Sequence, residues 1–175
     1  MPVLICFSGL PGVGKTTIGK ALGLRLPSTY LRVDVVESAL RESVLKIDPC
    51  EDVGYLAICA IARSNLKLGN NVIADTVNPL PETRSLWART AQDAGAELFN
   101  VEVVCSDPDT HRARVETRTA DIKGHPLPDW DRVQNRDYHV WETPDLRLDS
   151  AVLSVDDSVA TILRCLRELN SRIQV

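Results

Sequence analysis

Residues 9–17, GLPGVGKTT, constrain this chain more than any other stretch. They follow an apolar run, VLICFS at 3–8, and open a helical pattern at 15–26. Gly9, Gly12 and Gly14 permit backbone conformations closed to other residues, so the loop can curl with its N–H groups inward and form an anion nest. The helix behind it adds the positive end of its dipole. The pattern is G-x-x-x-x-G-K-T between a strand and a helix, the context in which such a loop cradles nucleotide phosphates. Leu10, Pro11 and Val13 complete the cradle with their backbone. Lys15 is placed to reach the β- and γ-phosphates, Thr16 to ligate Mg²⁺, and Thr17 to support the α-phosphate. ATPases, GTPases and kinases share this loop, so it specifies a nucleotide and not a reaction.

The rest of the chain alternates short β-like runs with helical patterns. Strands are expected at 3–8, 29–34, 71–77, 96–106 and 150–155. Helices are expected at 15–26, 35–46, 51–69, 81–95, 107–121 and 156–173, with an irregular Gly/Pro stretch at 122–130 and a short helix within 131–142. Gly69 closes the third helix, and Pro81 opens the fourth, which Gly95 ends. Alternation of this kind predicts an α/β fold with a mostly parallel sheet covered on both faces, which binds ligands at the carboxyl ends of its strands. The 175 residues suffice for a single domain spanning 1–175, burying roughly 70% of its unfolded surface.

The residues that follow each strand are therefore the candidates for chemistry. Asp34 ends the second strand, where a carboxylate can take a proton from a substrate hydroxyl attacking a γ-phosphate. With Glu37 it also spells D-x-x-E, close to a capping box. Arg41 suits a substrate anion or, at i,i+4, a salt bridge to Glu37. Asp75, after the apolar run of the third strand, fits a Walker B carboxylate for Mg²⁺. Thr76 and Asn78 follow it on the same edge and are expected to orient substrate. Arg112, Arg114 and Arg118 fall on one helix, the last two sharing a face at i,i+4. They lead into a region, 112–142, that reads as a lid whose arginines fold onto phosphates and neutralise developing charge. Lys123 and Arg132 are weaker candidates there. Trp130, Tyr138 and Trp141 flank it and are expected to pack a small satellite core.

Composition narrows the partners. Net charge is −4, against the basic face of a general nucleic-acid binder. The cysteines, Cys6, Cys50, Cys59, Cys105 and Cys165, are scattered with no C-x-x-C pair, which suits reduced thiols in the cytoplasm. His111, His125 and His139 show no zinc-ligand spacing with them. No stretch has the pattern of a signal peptide or a membrane span.

With GLPGVGKTT, RVD at 32–34, VIADTVNPL at 72–80 and SDPDTHRARVETR at 106–118 in view, the chain resembles a group of small P-loop kinases. The group holds zeta toxins, chloramphenicol phosphotransferase, the kinase domain of polynucleotide kinase, gluconate kinases and adenylylsulfate kinase. The resemblance implies a three-layer P-loop NTPase fold, its five strands ordered 2-3-1-4-5, and ATP as the nucleotide. It implies Asp34 as base, and Arg114 and Arg118, with Arg112 as a further candidate, on the ATP phosphates. The expected activity is transfer of the γ-phosphoryl group to a hydroxyl of a small molecule, in a monomer or homodimer. A 5′-hydroxyl polynucleotide kinase, a nucleotide-sugar kinase toxin and a non-catalytic nucleotide-binding switch remain as alternatives.

Overall fold

A computed structural model describes residues 1–123 and 125–173. Gly124, inside the expected lid, lies outside the described residues. The elements, in chain order, are β1 (Val3–Ser8), α1 (Lys15–Gly23), β2 (Ser28–Arg32), α2 (Val33–Glu42), α3 (Val53–Lys67), β3 (Asn71–Asp75), α4 (Pro81–Ala94), β4 (Glu97–Val104), α5 (Pro108–Thr117), α6 (Trp130–Gln134), β5 (Leu146–Asp149) and α7 (Val155–Ile173).

The five strands form one all-parallel sheet ordered β2-β3-β1-β4-β5. β1 is its centre and is buried along its whole length. Side chains alternate between faces of a strand. Leu4 and Cys6 accordingly join the core under α3 and α4, with Ile58, Ala62 and Trp87. Ile5 and Phe7 join the opposite core under α1 and α7, with Ile18, Leu22 and Ile162. A strand buried on both faces reads as an unbroken apolar run, which is why VLICFS was legible.

Two elements differ from expectation in ways that matter for the site. The fifth strand is LRLD at 146–149, not the run at 150–155. Asp149 stops it, because its Oδ1 accepts from the N–H groups of Ser106 and Ala151, both at 3.0 Å. Ser154 then opens α7, accepting from the Asp157 N–H at 3.1 Å. The fifth helix ends at Thr117, so Arg118 is extended and outside it (φ −65°, ψ 145°). The Thr117 hydroxyl donates to the Ala113 carbonyl at 2.7 Å, the kind of side-chain competition that loosens a helix end. Arg114 and Arg118 therefore do not share a helix face.

All five cysteines are free thiols. Among the described residues, no helix is long and apolar enough to cross a membrane, and no group of His, Cys, Asp or Glu is arranged to hold a metal on its own.

Candidate active site

A cavity of about 950 Å³ opens at the carboxyl ends of β1, β2 and β3. Its floor is the loop between β1 and α1. Gly9, Gly12 and Gly14 have φ of 135°, 88° and 100°. A Cβ on Gly9 would stand 2.2 Å from the Val103 carbonyl oxygen, and one on Gly12 would stand 2.5 Å from a Val115 methyl. The glycines are thus required by both conformation and space. Gly14 caps α1 without a side chain, leaving the helix start open to the cavity. Leu10 gives a carbonyl to Lys15, Pro11 lines the cavity, and Val13 is buried in the core.

Lys15 is 7% exposed and donates to the carbonyls of Gly9 (2.7 Å) and Leu10 (2.9 Å). Burial lowers its pKa to about 8, although Asp75 and Asp34 pull the other way. The Thr16 hydroxyl donates to Asp75 Oδ2 at 2.7 Å, so the last residue of β3 meets the first turn of α1. Thr17 lines the cavity beside it. Tyr30 of β2 donates to the same Asp75 oxygen at 2.6 Å, and burial with this contact pushes its hydroxyl pKa up. An all-oxygen pair such as Thr16 and Asp75 is the donor chemistry that Mg²⁺ takes, completed by water and phosphate.

The wall facing the floor comes from α2, α3 and the stretch after α5. Asp34 lies in the first turn of α2 rather than in β2, and it does not cap that helix: Arg32 holds the cap position without a side-chain cap bond. Arg32 instead donates to Asp34 Oδ2 from Nε (3.0 Å) and Nη2 (2.8 Å). His125 Nε2 stands 3.8 Å from the same oxygen. Glu37 pairs with Arg41 at 3.4 Å, and burial raises its carboxyl pKa. Arg41 also reaches Asp48 at 3.1 Å, while its Nη1 is buried with no partner among the described residues.

Residues 118–123 and 125–128 run past the mouth of this cavity. Asp121 binds Lys20 of α1 and Arg32, both at 2.8 Å, and these two cations hold its carboxyl down at about 2. Arg118 lines the cavity with Nη2 on the Pro128 carbonyl (3.3 Å); its Nε is buried without a partner, and burial lowers its pKa. Arg114 also lines the cavity, held by the Ser150 hydroxyl at 2.8 Å. Arg112 does not reach it. That side chain is 58% exposed and paired with Glu116 at 2.8 Å.

Some expected roles are corrected. Asn78 is fully buried and points into the protein, its amide donating to the Ser8 hydroxyl at 3.0 Å. Its φ of 52° suits asparagine in a turn. Thr76 lines the cavity but commits its hydroxyl to the Phe7 carbonyl at 3.2 Å. The aromatic residues pack outside the cavity, as a satellite core should: Trp130 meets His111 edge-on, and Arg84 lies over Tyr138 and Trp141.

Sequence reasoning missed Tyr30, Arg32, His111, His125 and Arg136. His111 braces the phosphate loop from α5, its Nε2 2.9 Å from the Pro11 carbonyl oxygen. Arg136 lines the cavity close enough to Lys15 and Tyr55 to perturb both. The spacing of Arg32 two residues before Asp34 was the one local signal available; the others depend on tertiary contacts.

A five-stranded parallel sheet in this order, with the G-x-x-x-x-G-K-T loop leading from its central strand into α1, defines a P-loop nucleotide-binding protein. The chain belongs to the AAA_33 family (AAA domain), which matches residues 4–136. It is 25% identical over 181 residues to an adenylyl-sulfate kinase of Prochlorococcus marinus, covering 96% of this chain and 85% of that one. Among solved structures it is similar to the Mycobacterium tuberculosis APS kinase in complex with AMPPNP and APS, with a TM-score of 0.71, 20% identity, and 95% and 98% of the two chains covered. It is also similar to a gluconokinase of Sinorhizobium meliloti, with a TM-score of 0.66, 17% identity, and 99% and 96% covered. The resemblance to zeta toxins, chloramphenicol phosphotransferase and polynucleotide kinase draws no support from these matches.

Proposed function

We propose that this protein is an ATP-dependent kinase that transfers the γ-phosphoryl group to a hydroxyl of a small molecule. One observation carries the reading: the phosphate loop, with Lys15 and the Thr16–Asp75 pair, faces a second carboxylate, Asp34, across one cavity. A carboxylate in that place can take the proton of a hydroxyl that attacks the γ-phosphate.

In this reading Lys15 leaves the Gly9 and Leu10 carbonyls for the β- and γ-phosphates, and Thr17 supports the α-phosphate. Thr16 and Asp75 hold Mg²⁺, which neutralises charge between the β- and γ-oxygens when bound. Arg114 and Arg118 face the transferring group, and Asp34 accepts the proton of the attacking hydroxyl. Residues 112–142 act as a lid that excludes water, which would otherwise compete as acceptor. Arg112 takes no part. The relatives named above act on adenylyl sulfate and gluconate, both small hydroxyl compounds. This supports the acceptor class and leaves its identity to experiment.

The test is phosphoryl transfer from labelled Mg·ATP into a fractionated bacterial metabolite extract, with wild type beside Asp34→Asn. A labelled product formed by the wild type alone supports the kinase and identifies the acceptor. ATP loss at equal rates in both proteins, with no labelled product, overturns it in favour of an ATPase or a nucleotide-gated switch.

A further inference from the structure

A guanidinium offers five donors in a rigid plane and stays charged at any pH a protein survives. Arg32 spends that plane on acids from separate parts of the fold. Nε and Nη2 hold Asp34 of α2, Nη1 holds both oxygens of Asp121 at 2.8 and 2.9 Å, and Nε stands 3.9 Å from Asp75 of β3. The Arg32 side chain is only 11% exposed, so these are not loose surface pairs on its side.

Position in the chain explains the arrangement. Arg32 is the last residue of β2, extended at φ −122° and ψ 124°, and α2 begins at the next residue. The strand-to-helix turn brings the side chains at 32 and 34 onto one edge. Asp121 comes from the segment after α5, eighty-nine residues away, and is steadied by Lys20. Both Arg32 bonds and the His125 approach fall on Asp34 Oδ2. No hydrogen bond among the described residues occupies Oδ1, which leaves that oxygen for the proton of an acceptor hydroxyl.

We infer that Arg32 is a positioning residue that couples seating of the stretch that carries Asp121, residues 118–123, to the orientation of Asp34. With Asp121 seated, the fork of Arg32 is held from both edges and presents Asp34 in one rotamer. With Asp121 withdrawn, Nη1 loses its partner, and the guanidinium is drawn toward Asp75, taking Asp34 out of line. Transfer is then favoured only when the mouth is covered and water is excluded. Small losses of alignment cost large factors in rate, so the coupling is measurable. The inference rests on Asp34 serving the acceptor.

The experiment is a pair of double-mutant cycles, read as kcat for transfer from Mg·ATP into the metabolite extract, with KM for ATP measured beside it. Asp121→Asn is isosteric and half-exposed, so the fold should survive; thermal unfolding checks this. It should lower kcat by about tenfold and leave KM for ATP within about twofold. In an Arg32→Gln background the same change should cost almost nothing further. Arg32→Lys, which keeps the charge and loses the fork, should fail to restore the rate. Should Arg32→Gln not fold, the cycle of Asp34→Asn with Asp121→Asn reads the same coupling and should also be non-additive. Additive losses in whichever cycle is read, or full activity in Arg32→Lys, overturn the coupling. If Asp34→Asn alone leaves transfer intact, the role of Asp34 itself fails, and the coupling falls with it for that separate reason.

Discussion

The two walls of the cavity are built on opposite plans. The floor comes from nine consecutive residues, 9–17, whose shape is set by local backbone constraint: three left-handed glycines, a helix start, and a lysine folded back onto its own loop. The facing wall is assembled from Asp34, Glu37, Arg41, Tyr55, Asp121 and His125, brought together by α2, α3 and the segment after α5. Its members meet through ion pairs between residues far apart in sequence. A locally determined floor can stay the same while a tertiary wall is rebuilt, which suits a constant nucleotide and a variable acceptor. The expectation is that damage to the wall changes transfer, and damage to the floor changes nucleotide binding.

The largest effect should come from the wall. Asp34→Asn keeps the shape of the side chain and an oxygen for Arg32 but removes the charge of a partly buried pair, so the fold should hold with a modest loss of thermal stability. Transfer should fall by roughly 10²–10⁴-fold with ATP affinity nearly unchanged. Equal losses in transfer and in ATP affinity would erase the distinction between the walls. Lys15→Ala attacks the floor instead. It should cost roughly 10²–10³-fold in turnover, this time with weakened ATP binding, measured by titration calorimetry. Unchanged ATP affinity would remove the phosphate-loop reading.

The floor was legible in the sequence because its determinants are contiguous. The glycines, Lys15 and Thr16 are read in one window, and Asp75 follows an apolar strand that could hardly be anything else. The buried central strand was legible for the same reason, since VLICFS declares itself by unbroken apolarity; the order of the strands was expected only from the family resemblance. The wall was legible only in fragments. Asp34 was placed at a strand end, with helix capping as the alternative to chemistry; it lies in the first turn of α2 instead, because Arg32 takes the cap position and gives no capping signal. Arg118 was placed on a helix that the Thr117 hydroxyl helps to end. The Asp121–Arg32 contact has no sequence signature at all. Leu146 and Leu148 alternate over only four residues, too short to outweigh the longer apolar run at 150–155.

A subtler effect separates the walls by proton count. Lys15 in the floor has its pKa lowered from an ordinary 10.5 to about 8 by burial. Between those values the unfolded chain holds a proton that the folded chain lacks, so this group makes the fold more stable as pH rises from about 8 toward 10.5. Phosphate arriving at Lys15 favours the charged form. ATP binding at pH 8 should therefore take up about half a proton, and near pH 6 Lys15 should contribute none. Calorimetry in buffers of different ionisation enthalpy measures this. The Asp34→Asn protein should show nearly the same uptake, and Lys15→Ala should lose it.

The smallest effect tests whether the comparison holds within one basic run. Arg112, Arg114 and Arg118 look alike in the sequence, and a reading by composition would give all three to the phosphates. The structure divides them by what their guanidiniums touch. Arg118 has a buried, unpartnered Nε at the cavity and only the Pro128 carbonyl on its Nη2, so removing it takes away a charge held by no salt bridge among the described residues. Arg112 is exposed and occupied by Glu116 one turn along, an i,i+4 pair that solvent screening leaves weak on a helix surface. Arg112→Ala should leave transfer within about twofold of wild type and lower stability by no more than that pair is worth. Arg118→Ala should lower kcat by about tenfold or more. If Arg112→Ala proves the more damaging of the two, α5 must turn toward the cavity when nucleotide binds, and Arg112 would then join Arg114 and Arg118 at the phosphates.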